Sequence, residues 1–217
     1  AQRIILAQSL KDVTQNASSP AEVVNLLFAD GITSMPDLSD YVQTSLQSPQ
    51  ESPQERKNRI LLANSVYANN FAQNINDLDT SAGKKALVSD LLTAQSSGQI
   101  TVFDLDSDLL TYIDTSLENG LESGSLRSVR ILLAQKVRLL SLGSQLSDEN
   151  KKILINNLLS SGKTYADLSA ELTEYINLAP QETGLLRAKH ILLAQTFHAN
   201  SLAANIDDPV YGKKFLI

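Results

Sequence analysis

The sequence contains no cysteine and no tryptophan, and only 5% aromatic and 19% charged residues. Without cysteine there is no disulfide, no thiolate nucleophile and no thiolate metal ligand. The core must be aliphatic, and a chain of 217 residues with 42% hydrophobic residues is long enough for one or two domains. The missing cysteine, the low charge and the abundant Ser, Thr, Asn and Gln favour an extracellular or cell-surface location, although they leave a cytoplasmic one open.

Two classes of partner are disfavoured by what the sequence lacks. The net charge is −6 and the pI is about 4.9, and the Lys and Arg residues do not gather into a basic run. Because a nucleic-acid binder must neutralise phosphates, we expect no nucleic-acid partner. No apolar run approaches the roughly 20 residues that cross a bilayer, so we expect no membrane span.

The sequence repeats one hexapeptide four times, at spacings of 56, 71 and 60 residues. The copies are RIILAQ at 3–8, RILLAN at 59–64, RILLAQ at 130–135 and HILLAQ at 190–195. Each of the first three copies is followed by a Leu-Leu pair, a glycine, a Ser/Thr-x-x-Asp-Leu motif and a Tyr-Val or Tyr-Ile pair. A recurring order of landmarks is the signature of a repeat protein whose units bury one another's apolar faces.

The landmarks predict three helices in each unit. The hexapeptide opens a long helix A with apolar residues on several sides. Helix B carries the Leu-Leu pair and ends at a glycine suited to a left-handed C-cap, such as Gly162. Helix C begins at a cap such as Thr164, with Asp167 in the position of the capping-box acid.

The predicted fold class is therefore all-α: a helical repeat array of about three and a half three-helix units, each of about 60–70 residues. The predicted units are 1–56, 57–127, 128–187 and a partial fourth unit at 188–217. Either a short solenoid or paired bundles would satisfy this pattern. Since the GKK of 83–85 returns at 212–214, the sequence stops where the fourth helix B should begin. We expect a piece of a longer repeat protein, or a last unit that another subunit completes.

The usual signatures of catalysis and metal binding are missing. His190 and His198 lie eight residues apart, about 12 Å along one helix, too far to share a metal. The aspartates of 77–81 and 104–108 alternate as in calcium loops, but they lack the glycine and the final acid of an EF-hand. There is no GxSxG motif and no clustered glycine loop. We predict no enzyme, no cofactor and no metal.

The first residues of the four hexapeptides, Arg3, Arg59, Arg130 and His190, are the candidate contact residues. If the units stack in register, they form a cationic ladder for an acidic glycan or a partner's carboxylate. In the alternative, each arginine pairs with an acid of its own chain, Glu55 for Arg59 and Glu122 for Arg130.

Two functions remain open. The first is a non-enzymatic structural or assembly-forming helical-repeat protein, part of a larger secreted or surface polymer. Its partners would be other copies or neighbouring repeats of a longer chain. The second is a helical-repeat binding module for a peptide, glycan or protein. The scarcity of aromatic anchors of the hot-spot type favours the first.

Overall fold

The computed structural model describes residues 1–43, 50–75, 80–115, 122–179, 182–206 and 212–217. These residues form an all-α fold with short 3₁₀ turns, and their only β pairing is two isolated bridges. The eight helices are α1 (Gln2–Ser9), α2 (Pro20–Ala29), α3 (Pro53–Ala68), α4 (Thr80–Ser96), α5 (Ser107–Leu110), α6 (Gly124–Leu139), α7 (Asp148–Ser160) and α8 (Gly184–Ala199). None of the described helices has the length and apolarity needed to cross a membrane.

The four hexapeptides lie in α1, α3, α6 and α8, which confirms that each one is helical. The prediction that the hexapeptide opens the long helix is wrong for α3, α6 and α8, because each of these helices begins six residues before it. The caps of these helices differ in chemistry. Ser52 caps α3 in a reciprocal box with Glu55, whereas the Thr183 side chain accepts the Leu186 N–H at the start of α8. Either arrangement satisfies a backbone donor that has no partner within the helix.

The predicted glycine caps of the second helices are confirmed in α2, α4 and α7. Gly31, Gly98 and Gly162 follow these helices with φ of +84°, +71° and +71°. After α7, the Lys163 N–H donates to the Leu158 carbonyl at 3.0 Å, the long bond of a Schellman motif. A side chain at these left-handed positions would be strained, so glycine ends each helix cleanly.

The prediction of a third α-helix in each unit is wrong. Residues 165–176 form two 3₁₀ turns, Tyr165–Asp167 and Ala170–Glu174, and residues 101–114 form the turn Val102–Asp104 followed by the short α5. Residues 32–38 have no regular structure. The expected capping box is present, since Asp167 accepts the Thr164 N–H at 2.8 Å. Leu168 and Ser169 then adopt extended angles, so the chain restarts at Ser169 instead of continuing one helix.

The described residues cluster into two compact units. One comprises Ala1–Asp106 with Thr115–Ser128, and the other Ser107–Asp114 with Val129–Ile217. In the first, α3 packs against both α2 and α4, and α1 packs against α2. In the second, α8 packs against α7 and the 3₁₀ turn of 170–174. Each unit has an aliphatic core, as the composition predicts. The four repeat boundaries stay a prediction.

Candidate functional site: the joint ahead of each long helix

Three arginines are completely buried, and each lies three residues before a hexapeptide. Arg56, Arg127 and Arg187 all have 0% exposure. A glutamate stands five residues before each of them, at positions 51, 122 and 182. Removing a guanidinium from water costs several kcal/mol unless an opposite charge and further acceptors meet it. The pattern therefore marks a recurring buried joint, which we call the Arg–Glu joint.

The Arg–Glu joints of Arg127 and Arg187 have the same geometry. The Nε of Arg127 donates to Glu122 Oε2 at 2.6 Å, and its Nη1 donates to the Phe71 carbonyl at 3.1 Å. Arg187 donates through Nε to its own glutamate and through Nη1 to the Leu142 carbonyl at 2.7 Å. Phe71 and Leu142 occupy the same place in the turns that follow α3 and α6. Each guanidinium thus ties the start of one long helix to the exit of the preceding one.

The joint of Arg56 is looser. Its Nε lies 2.8 Å from Glu51 Oε2 without the alignment of a hydrogen bond, and its Nη1 donates to the Gln43 carbonyl at 2.9 Å. The Glu51 side chain is 17% exposed, against 3% for Glu122. Burial lowers the pKa of Arg56, and the charge of Glu51 opposes that shift. Arg56 is thus the least well compensated of the three arginines.

Backbone pairing fixes the positions of two of these glutamates independently of their side chains. Glu51 pairs in a parallel bridge with Ala17, and Glu122 does so with Ile75. The Glu122 N–H donates to the Asn74 carbonyl at 3.3 Å. Asn74 has φ of +59°, a left-handed angle that asparagine tolerates better than most residues. The turn after α3 therefore presents the backbone acceptor that positions this carboxylate.

Arg59, one of the four predicted contact residues, belongs to the first of these joints. Its Nε and Nη2 donate to Glu51 Oε1 at 2.8 and 2.5 Å, and its Nη1 donates to Ser89 Oγ at 2.7 Å. Arg59 therefore pairs with an acid of its own chain, which is the alternative to the cationic ladder. The acid is Glu51 and not the predicted Glu55. Glu55 instead accepts the Ser52 hydroxyl at 2.7 Å and the Ser52 N–H at 2.8 Å. These hydrogen bonds lower the pKa of Glu55.

The corresponding residues of the next two copies also face inward. Arg130 is 6% exposed and donates to Asn156. Asn156 on α7 takes the place that Ser89 has on α4. His190 Nδ1 lies 2.5 Å from Glu182 Oε1, an ion pair only when the imidazole is protonated. The three side chains at these positions are thus engaged inside the fold.

Arg3 differs from the other three candidates. It is exposed on α1, and its guanidinium carbon lies 5.0 Å above the ring of Phe28, a cation–π contact with α2. The structure therefore engages Arg59, Arg130 and His190 with residues of their own chain and leaves Arg3 at the surface. None of these contacts tests the predicted binding of a partner.

A second recurring contact joins a lysine to a tyrosine ring. The three pairs are Lys84–Tyr41, Lys151–Tyr112 and Lys213–Tyr175, with the Nζ at 4.9, 5.3 and 5.1 Å from the ring centroid. An acid holds each lysine, Asp40, Asp148 and Glu174 respectively. Burial raises the pKa of Tyr41 and of Tyr112. The recurring Lys-Lys pairs and the recurring tyrosines are both visible in the sequence. Their contact was not predicted.

The two suspected calcium loops have different outcomes. Asp104 accepts the Thr101 N–H at 2.6 Å in a capping box, which assigns it a structural role. The first loop falls largely on residues 76–79, which lie outside the described residues. Within the described ranges, no group of three or more His, Cys, Asp or Glu could hold a metal ion.

One polar groove of about 470 Å³ lies in the second unit, between residues 163–172 and the end of α8. Its lining mixes polar side chains, among them Lys163, Asp167 and Gln195, with apolar ones such as Leu172 and Leu192. His198 also packs edge-on against Tyr175, with the ring centroids 6.3 Å apart. The groove offers hydrogen-bonding groups of both polarities.

Comparison with protein-family models, curated proteins and solved structures found no match for this chain. Its function is therefore argued from its own geometry, in which the recurring charged side chains meet one another inside the fold.

Proposed function

We propose that this chain is a non-enzymatic, assembly-forming structural protein of the helical-repeat class, part of a larger secreted or surface polymer. The observation that carries the proposal is the recurrence of the Arg–Glu joint. Arg127 and Arg187 each tie a long helix to the turn after the preceding one. A joint that recurs with each unit supports an array whose cohesion comes from contacts between neighbouring units.

The engagement of the cations supports the structural function over a binding ladder. A ladder for acidic ligands needs guanidinium groups that reach solvent in a row. Arg59 already donates to Glu51 and Ser89, and Arg130 donates to Asn156. A ligand would have to replace these internal acceptors, and breaking a buried pair leaves an uncompensated charge.

The packing of α3 supports a solenoid-like arrangement in particular. This helix packs against both α2 and α4, which are the second helices of two neighbouring predicted repeats. Its apolar residues Ile60 and Leu62 are buried. A unit that uses both sides of one helix in this way depends on neighbours for its stability. We infer that the predicted repeats stack in chain order.

Light scattering coupled to size exclusion, over a hundredfold range of protein concentration, tests the proposal. Growth into large or defined oligomers supports it, and negative-stain electron microscopy would then show the polymer. Contacts that bury apolar surface should persist in 1 M NaCl, where exposed ion pairs are screened. A monomer at every concentration would overturn the proposal.

The groove between 163–172 and α8 favours a second candidate, a binding module for a peptide, glycan or protein. Its volume of about 470 Å³ and its mixed polar lining suit a small hydrophilic group. Titration with an array of glycans and peptides, wild type against His198→Ala, tests this function. Binding by a monomer that the variant abolishes would favour the module over the polymer.

A further inference from the structure

The end of α3 holds a turn of the same chain through two side chains. Ser65 Oγ donates to the carbonyls of Val102 and Leu105 at 3.4 and 3.3 Å. Asn69 Nδ2 donates to the Leu105 carbonyl at 2.7 Å. The turn is the Thr-x-x-Asp-Leu motif of 101–105, which its own capping box closes. A long helix thus binds the main-chain carbonyls of a capped turn.

Helix α8 ends in the same way as α3. Counted from the hexapeptide, Thr196 and Asn200 stand where α3 has Ser65 and Asn69. Each asparagine closes its helix with φ of −97° and ψ of 7°, and each donates through Nδ2 to the carbonyl four residues earlier. The residue that follows is left-handed in both, with φ of +57° and +52°. The donors that hold the turn on α3 are therefore reproduced on α8.

The two helices also meet the segment before them in the same way. Tyr67 of α3 packs edge-on against Tyr41, with the ring centroids 5.8 Å apart. His198 takes the place of Tyr67 in α8, and it packs edge-on against Tyr175 at 6.3 Å. Since both helices contact the tyrosine of the preceding motif, their ends correspond in surroundings as well as in sequence.

The side of α8 that corresponds to the turn-binding side of α3 lines a groove. The groove of about 470 Å³ is the one beside residues 163–172, and both Thr196 and Asn200 line it. Among the described residues, the acceptors of these two side chains are carbonyls of α8 itself, those of Leu192 and Thr196. No described turn of the chain accepts from them as 101–105 does from α3.

A third side chain in the groove has an acceptor to offer. Gln195 Nε2 donates to the Asp167 carbonyl, which fixes the orientation of the amide. Its Oε1 is buried and has no hydrogen-bond partner within the described part of the chain. A buried acceptor of this kind is normally met by a donor. The groove therefore presents two donors and one acceptor, the set that a peptide main chain satisfies.

We propose that this groove binds a polypeptide turn with the Ser/Thr-x-x-Asp-Leu motif, supplied by a neighbouring unit. The Thr196 hydroxyl and the Asn200 amide donate to the carbonyls of its second and fifth residues, as Ser65 and Asn69 do on α3. An N–H of the turn donates to Gln195 Oε1. The inference rests on the proposed function and names the segment through which one unit engages the next.

A synthetic peptide with the sequence of residues 99–106 tests the groove. It is titrated into the isotope-labelled 217-residue protein, below the concentration at which assembly begins, and followed by NMR. The amide signals of Thr196 and Asn200 should shift in a saturable way. The affinity should be millimolar, because a short peptide loses conformational freedom on binding. The peptide with Asp104→Ala lacks the capping box and should bind at least about fivefold more weakly.

Asn200→Ala removes a donor from the groove and should weaken peptide binding at least about fivefold. Asn157→Ala is the matched control. Asn157 Nδ2 also donates to the carbonyl four residues earlier, at 2.8 Å, but it lies on α7 and outside the groove lining. This variant should bind the peptide as the wild type does. Equal affinity in Asn200→Ala and the wild type would overturn the proposal, and so would a glycan that shifts the Thr196 and Asn200 signals when the peptide does not.

The turn-binding groove and the proposed function can fail separately. If light scattering shows assembly but the peptide leaves the groove signals unchanged, the groove assignment is wrong while the proposed function stands. If the peptide binds and the protein is monomeric at every concentration, the turn-binding groove stands and the polymer is overturned.

Discussion

Helices α3 and α8 carry nearly the same hexapeptide, and both have 16 residues. Yet Leu62 of α3 is fully buried, whereas the equivalent Leu193 of α8 is 45% exposed. The local pattern is the same, so the difference comes from neighbours: α3 packs against α2 and α4, whereas α8 packs against α7 and the 3₁₀ turn of 170–174. The burial of this leucine depends on the neighbouring helices more than on the hexapeptide itself.

The Arg–Glu joints at the entrances of α3 and α8 differ in a second way. Glu51 meets Arg56 and Arg59, whereas Glu182 meets Arg187 and His190. The first carboxylate is more exposed but faces two permanent cations. The second is 4% exposed and faces one permanent cation and a titratable ring. The chain thus offers two joints for comparison. In the wet joint the carboxylate is partly exposed and faces two permanent cations, and in the dry joint it is buried and faces one.

Breaking a dry joint should have the largest effect on stability. Arg127→Met removes the Nε and Nη1 donors that meet the buried Glu122 carboxylate and the Phe71 carbonyl, and we expect a loss of about 3–5 kcal/mol in the free energy of unfolding. Arg56→Met should cost clearly less, because Glu51 is partly hydrated and retains Arg59. Urea denaturation monitored by circular dichroism measures both changes.

A double variant separates the charge from the packing in the same joint. Replacing Glu122 by Leu as well as Arg127 by Met removes both members of the buried pair, so most of the lost stability should return. Equal losses in Arg127→Met and Arg56→Met would contradict the distinction between dry and wet joints.

The next largest effect should come from the leucine at the fourth hexapeptide position. Leu133→Ala removes a fully buried side chain and should cost about 2–5 kcal/mol. Leu193→Ala makes the same chemical change at a 45% exposed site and should cost less than about 1 kcal/mol. Both values should be measured at low protein concentration. Similar costs would mean that α8 is covered as fully as α6.

The helical state of the hexapeptides, the glycine ends of the second helices and the capping boxes could be predicted because local chemistry decides them. The hexapeptides, the glycines after α2, α4 and α7, and the capping boxes at Thr101 and Thr164 all appear where the sequence places them. The third helix of each unit could not be predicted, because the apolar spacing of Leu168, Leu172 and Ile176 also fits two 3₁₀ turns. The extended backbone at Ser169 decides between them, and nothing in the periodicity reveals it.

Sequence reasoning found the wrong arginines for the centre of the joint. The conspicuous residues were those of the hexapeptide, such as Arg59, whereas the completely buried one is Arg56. A signal existed: glutamate and arginine recur five residues apart in ESPQER, ESGSLR and ETGLLR. Arginine is rarely buried, so composition alone argues against this role. The acceptor carbonyls of Gln43, Phe71 and Leu142 depend on tertiary structure and have no sequence signature.

Each of these two joints has a second cation, Arg59 or His190, at the first hexapeptide position. Exchanging these two residue types should have a smaller effect. His190→Arg places a permanent charge beside Glu182, as Arg59 does beside Glu51, and should stabilise the fold by about 1 kcal/mol. The reciprocal Arg59→His should destabilise it by a similar amount. Thermal unfolding of the two variants and the wild type in one buffer measures the pair. Changes of the same sign in both would show that side-chain size, not charge, decides the outcome.

The smallest effect should come from the capping box of α3. Hydrogen bonds from Ser52 lower the pKa of Glu55 in the folded state. A group with a lowered folded pKa stabilises the fold above its unfolded pKa and loses that contribution as the pH falls through the folded one. Glu55→Gln should therefore cost about 0.5 kcal/mol at pH 7 and almost nothing at pH 2. Unfolding measured from pH 7 to pH 2 should show the two curves converging below about pH 4. Parallel curves would mean that the carboxylate charge has no part in holding the start of α3, and that the Ser52 hydroxyl caps it alone.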